Sequence, residues 1–159
     1  MENLDSVKLT IPNDLVYFDM AQLFVREMAK KIGFRGSSLD QIEIAVEESV
    51  TFVMKQAYDR EESKTVDIIC QRIDGGVKIV VKDMGIPFDP NRIARFNITK
   101  NIEDMETEGL WIYMLHKVVD DLSFQNLGHL GKEIHMVKYL PQPAPAAFLS
   151  VDETEVMED

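Results

Sequence analysis

Apolar residues between positions 15 and 32 fall at Phe18, Ala21, Val25, Met28, Ala29 and Ile32. Spacings of three and four place them on one face of an amphipathic helix. Pro12-Asn13-Asp14 reads as a turn with a helix-starting acid, and Gly33 as the stop. A second helix is predicted over residues 39–58, burying Ile42, Ala45, Val46, Ser49, Val53 and Ala57, with Gly36-Ser37-Ser38 as the preceding turn and N-cap. A third is predicted over residues 110–119. Strand-like runs occupy residues 7–11, 65–73, 77–83, 122–126 and 133–139. Asp74-Gly75-Gly76 joins the second and third as a hairpin, and a loop with Gly128 and Gly131 joins the last two.

The resulting order is β-α-α-β-β-α-β-β. It predicts an α+β domain over residues 1–140, a two-layer sandwich with the helices on one face of a mixed or antiparallel sheet. Residues 85–108 carry Pro87 and Pro90 without periodicity. A stretch this long inside a compact domain reads as a functional lid or a mobile segment. Residues 141–159 begin with Pro141, Pro143 and Pro145 and read as a linker followed by an acidic tail.

Charge narrows the partners. The net charge is −11, and the tail holds five acids with no basic residue. Nucleic acid is a poor partner for such a chain, because phosphate neutralisation needs clustered Lys and Arg. No apolar run approaches a membrane span, and the polar N-terminus lacks a signal-peptide layout, so the cytoplasm is the expected location. The single cysteine, Cys70, lies in an apolar strand and is expected to be a core residue. His116, His129 and His135 are too scattered to suggest a metal site and read as surface or packing residues.

Three segments carry the candidate chemistry. The first is Ala45 to Tyr58, in which Glu48 and Phe52 stand one helical turn apart on a shared face. The second is Val81-Lys82-Asp83-Met84-Gly85-Ile86-Pro87-Phe88-Asp89-Pro90. The third runs from Gly109-Leu110-Trp111 to Asp120, and Gly131 precedes the last strand. Taken singly, Glu48 is a polar helix residue beside Glu47, Asp83 is an acid before a turn, and Phe52 and Trp111 are ordinary core aromatics.

In order and spacing, these segments resemble the histidine-kinase-like ATPase superfamily, and within it the bacterial anti-sigma-factor serine kinases. The resemblance covers residues 7–140. It implies that Glu48 stands at the general-base position and that Asp83 accepts from the adenine amino group. It also places Gly85, Gly109 and Gly131 at the family's nucleotide-binding glycines. Three positions depart from the pattern. Phe52 replaces the Mg²⁺-binding Asn, so no metal ligand is expected there, since Mg²⁺ demands hard oxygen ligands. Pro87 replaces the second Gly of the adenine box, fixing φ and removing an N–H. Trp111 replaces a phosphate-loop Gly, where an indole obstructs approach to the helix N-terminus.

The expectation is a protein-binding regulator with impaired or lost ATP binding and no cofactor. Its partner would be a sigma factor or an anti-sigma-antagonist-like protein. The alternative is a working serine kinase that uses ATP or ADP with Mg²⁺. Members of the family often pair, so a homodimer is compatible with either reading.

Overall fold

The computed structural model describes residues 5–60, 65–84 and 109–142, with side chains of residues 56–60 left out. The long stretch at 85–108 and the tail from residue 143 lie outside the described residues, and so do the expectations placed on them.

Five strands form one sheet: β1 (Ser6–Pro12), β2 (Thr65–Ile73), β3 (Gly76–Asp83), β4 (Asp121–Asn126) and β5 (Lys132–Tyr139). Their order is β1-β2-β3-β5-β4, and every neighbouring pair is antiparallel. Of the mixed or antiparallel sheet expected, the antiparallel one is found. Helices α1 (Phe18–Ile32), α2 (Gly36–Arg60) and α3 (Leu110–Val118) supply the second layer. α2 contacts both α1 and α3.

Side-chain alternation explains which sheet face they cover, because successive residues of a strand point to opposite faces. Val66, Ile68 and Cys70 of β2 are fully buried, as are Val77, Ile79 and Val81 of β3 and Ile134 and Met136 of β5. The strand register aligns these residues in rows: Leu9, Ile68, Val81, Ile134 and Phe124 make one, and Cys70, Ile79, Met136 and Leu122 another. Cys70 is a core residue as expected, and burial pushes its thiol up to about 12.

α1 buries Ala21, Val25 and Ala29, with Phe18, Met28 and Ile32 packed partly against the core, so its predicted face is found. Its predicted first turn is a separate 3-10 turn, Leu15–Tyr17, whose start is capped by the Asp14 carboxylate accepting from the Val16 N–H at 3.0 Å. Gly33 ends α1 at φ +126°, its N–H bonding back to the carbonyl of Ala29.

The start of α2 corrects the expected turn. Gly36-Ser37-Ser38 belongs to the helix, which begins three residues earlier than the apolar spacing indicates. Buried Ser38 donates to the Arg35 carbonyl at 2.8 Å, and Phe34 is fully buried. The short link between α1 and α2 is thus pinned by a core phenyl ring, leaving little chain for a separate turn. Ile42, Ala45, Val46, Ser49 and Val53 are buried as expected, and Val50 and Met54 widen the buried face.

The β2–β3 connection is tighter than a three-residue loop. Ile73 pairs with Gly76, leaving Asp74 and Gly75 as the turn, with Gly75 at φ +77°. A Cβ on Gly76 would stand 2.3 Å from the Lys138 carbonyl oxygen of β5. Gly76→Ala is therefore expected to destabilise the domain by about 1–3 kcal/mol, the usual cost of overpacking. Urea denaturation would measure it, and an unchanged midpoint would contradict the tight β3–β5 approach.

Candidate functional site

Asp83 and Lys132 lie on the helix-facing side at one end of the sheet. The end row there is Ile11, Val66, Asp83, Lys132 and Asn126. It contains two charges where the rows beside it are apolar. α2 packs on β3 and β5 and α3 on β4, with Trp111 in the core and Phe52 packed against it.

α3 starts directly after Gly109, whose carbonyl accepts from the Tyr113 N–H at 3.1 Å. Gly109 has φ −88°, which any residue can adopt. Trp111, Leu115 and Val118 are the buried residues of α3. Their spacing of four and three makes one helix face. The Trp111 indole stacks on the Phe52 ring with centroids 3.8 Å apart and planes 14° from parallel. It also meets Phe124 of β4 edge-on, at 5.9 Å and 86°. Such aromatic pairs add about 0.5–1.5 kcal/mol beyond their area burial. Phe52 and Trp111 therefore meet in one cluster that ties α2, α3 and β4 together.

Asp83 ends β3 and is 3% exposed. Lys132, its opposite number on β5, is equally enclosed, and its Nζ lies 3.7 Å from the Asp83 Oδ1. Gly131 immediately precedes Lys132 at φ +101°, and a Cβ there would stand 2.1 Å from the Asp83 carbonyl oxygen. Only glycine fits both the left-handed backbone and this approach. Asp83, Gly131 and Lys132 therefore form a second cluster. Gly85 and Pro87 lie outside the described residues.

Glu48 sits on α2 one turn before Phe52, partly exposed. Its carboxyl is held above the ordinary value of 4.5, first by burial and then by Glu47, with Lys55 pulling the other way. Among the described residues no three His, Cys, Asp or Glu side chains converge to hold a metal ion. His116 and His129 are exposed, and His135 meets Glu133 at 2.7 Å.

Two residues of the site were missed in the sequence. Phe124 alternates with Leu122 and so shares its sheet face. Lys132 precedes the inward-facing Ile134 and Met136 by even steps, so strand alternation alone turns it inward. A lysine on a buried strand face was the available signal, since lysine is almost never fully buried unless paired.

The raised carboxyl of Glu48 gives a pH signature. The folded chain holds this proton more tightly than the unfolded one. The resulting stability is complete below 4.5 and is lost as pH rises through the folded value. Glu48→Gln should therefore lose less stability than the wild type between about pH 4 and pH 7. Denaturation midpoints at both pH values would check this, and identical slopes would contradict it.

Comparison with known proteins relates the chain to a family. The family model for the histidine kinase-like ATPase domain matches residues 11–138. The chain is 26% identical over 144 residues to the serine-protein kinase RsbW of Bacillus thuringiensis (strain Al Hakam), covering 88% of each. The same identity and coverage hold for the serine-protein kinase RsbW of Bacillus anthracis (strain CDC 684 / NRRL 3495). In structure it resembles a crystal structure of the RsbU and RsbW domains of a Mycobacterium tuberculosis protein, with a TM-score of 0.62 and 17% identity. That likeness covers 87% of this chain and 33% of the longer one, and it concerns the fold. With the sheet order, the helix layer and a family match over most of its length, the chain belongs to the histidine kinase-like ATPase domain family.

Proposed function

We propose that this chain is a regulatory protein-binding module of the anti-sigma-factor serine-kinase type, with its nucleotide site filled by its own side chains. The observation that carries this reading is the Phe52–Trp111–Phe124 cluster. Phosphoryl transfer depends on metal positioning and on stabilising charge at the phosphates. Phe52 offers carbon where a hard oxygen is needed for Mg²⁺. Trp111 stands in the first turn of α3, where the resemblance has a phosphate-loop glycine, and its indole is packed on Phe52 and Phe124. The residues at this end do not fit a Mg²⁺–triphosphate group, and no phosphoryl transfer is assigned to them. Burying a large apolar side chain contributes about 1.5–3 kcal/mol, so filling such a site favours the fold.

What remains is a stable α+β platform with a strongly acidic chain. On this reading it acts by holding a protein, either a sigma factor or an anti-sigma-antagonist-like partner. Leu15 and Val16 of the 3-10 turn and Met20 and Leu23 of α1 stand exposed, apolar surface of the kind protein partners cover. Among the described residues no helix is long and apolar enough to cross a membrane.

A second reading is a working serine kinase using ATP with Mg²⁺. It is favoured by the 26% identity to serine-protein kinases along 88% of the chain. Glu48 also supports it, because a carboxylate whose pKa lies above its ordinary value is a better proton acceptor than a free one.

Calorimetric titration with ATP and Mg²⁺ separates the two readings. The filled site predicts no Mg²⁺-dependent binding. Mg²⁺-dependent binding, with phosphate transfer to a partner serine, would establish the kinase. Phe52→Asn combined with Trp111→Gly is expected to strengthen Mg²⁺–ATP binding at least about tenfold, or 1.4 kcal/mol. Circular dichroism must show that this variant remains folded, since removing the indole leaves a cavity. A folded variant without that gain would sink the occlusion argument.

A further inference from the structure

The geometry points to Lys132 as a built-in occupant of the base end of this site. Its ammonium takes the position on Asp83 that the amino group of a purine would otherwise take. This inference rests on the reading that this end of the sheet is a nucleotide-type site. It concerns a different cluster from the aromatic one.

Asp83 and Lys132 face each other across the β3–β5 ladder, and both point to the helix side. Their side chains are 2% and 5% exposed, and Nζ lies 3.7 Å from Oδ1. The neighbouring row toward the middle of the sheet is Val81 and Ile134, both buried and apolar. In such surroundings separating the two charges is costly, because buried ions are strongly disfavoured away from opposite charge. A neutral base could offer Asp83 a hydrogen bond but no compensating charge. To bind there it would have to displace the ammonium from Asp83 and break a buried ion pair. The lysine stem also takes up volume that a ring would need.

The backbone fixes the arrangement. Gly131 rests on the Asp83 carbonyl so closely that no Cβ fits, which sets where Lys132 leaves the chain. The Gly131 carbonyl accepts from the Leu127 N–H at 2.8 Å, tying the same point to the β4–β5 loop. Lys132 therefore starts from a fixed position directly opposite Asp83.

Adenosine is the probe, because it has a base and no phosphate and so does not test the aromatic end. Titrations followed by amide NMR would compare the wild type with Lys132→Ser. The expected result is no saturable binding to the wild type at millimolar adenosine. The variant should bind at least roughly tenfold more tightly, with shifts centred on Val66, Asp83 and Gly131. Saturable binding of adenosine to the wild type at these residues would overturn the inference, as would a folded Lys132→Ser with no gain. If Lys132→Ser does not fold, Lys132→Met combined with Asp83→Asn removes both charges at nearly constant volume. Recovery of a cooperative fold would then support the pair as the reason Lys132 is there, and failure to recover would overturn it. The two readings fail separately. Mg²⁺-dependent ATP binding without adenosine binding sinks the filled phosphate end and leaves Lys132 standing. Adenosine binding without phosphate transfer does the reverse.

Discussion

Burial of one face of the antiparallel sheet beneath α2 is the constraint on which the rest of the structure depends. α2 lies between α1 and α3 and carries fully buried Ala45, Ser49 and Val50. Ser49 is tolerated there because its hydroxyl donates to the Ala45 carbonyl at 2.7 Å, satisfying a polar group that would otherwise be costly. The path of α2 fixes where Glu48 and Phe52 stand. The position of Phe52 in turn sets the platform on which Trp111 and α3 rest. The site is therefore a continuation of the core, and its chemistry cannot be changed without changing packing.

Much of this was legible in the sequence because the two periods are distinct. The three-to-four spacing of Ala21, Val25 and Ala29 and the alternation along residues 65–73 have few other interpretations. The start of α2 was less legible. Gly36, Ser37 and Ser38 have turn chemistry locally, and only the burial of Phe34 makes them helical. The 3-10 turn at Leu15–Tyr17 was hidden for a related reason, since its residues continue the apolar character of α1 but stay outside the core.

The candidate site was half legible. Phe52 and Trp111 could be singled out as bulky residues out of keeping with a pattern. That they stack on each other depends on a contact between two helices far apart in sequence. Phe124, on a third element, was missed for the same reason. Lys132 was overlooked because a lysine at a strand start is usually solvated, and only the register opposite Asp83 shows otherwise. By resemblance Asp83 stands at the adenine-contacting position, whereas Phe52 and Trp111 depart from the pattern at the metal and phosphate end. The ion pair at Asp83 supports a reading in which both ends carry internal occupants.

The glycine pressed against the Asp83 carbonyl has a consequence for the history of this chain. Exchanging Lys132 alone leaves a buried carboxylate, and exchanging Asp83 alone leaves a buried ammonium. Replacing Gly131 displaces the backbone under both. The three residues share one buried contact, so a change at any of them is felt by the other two. A lineage that alters one of them therefore changes the setting in which the others are selected. The three residues should accordingly be gained and lost as a set.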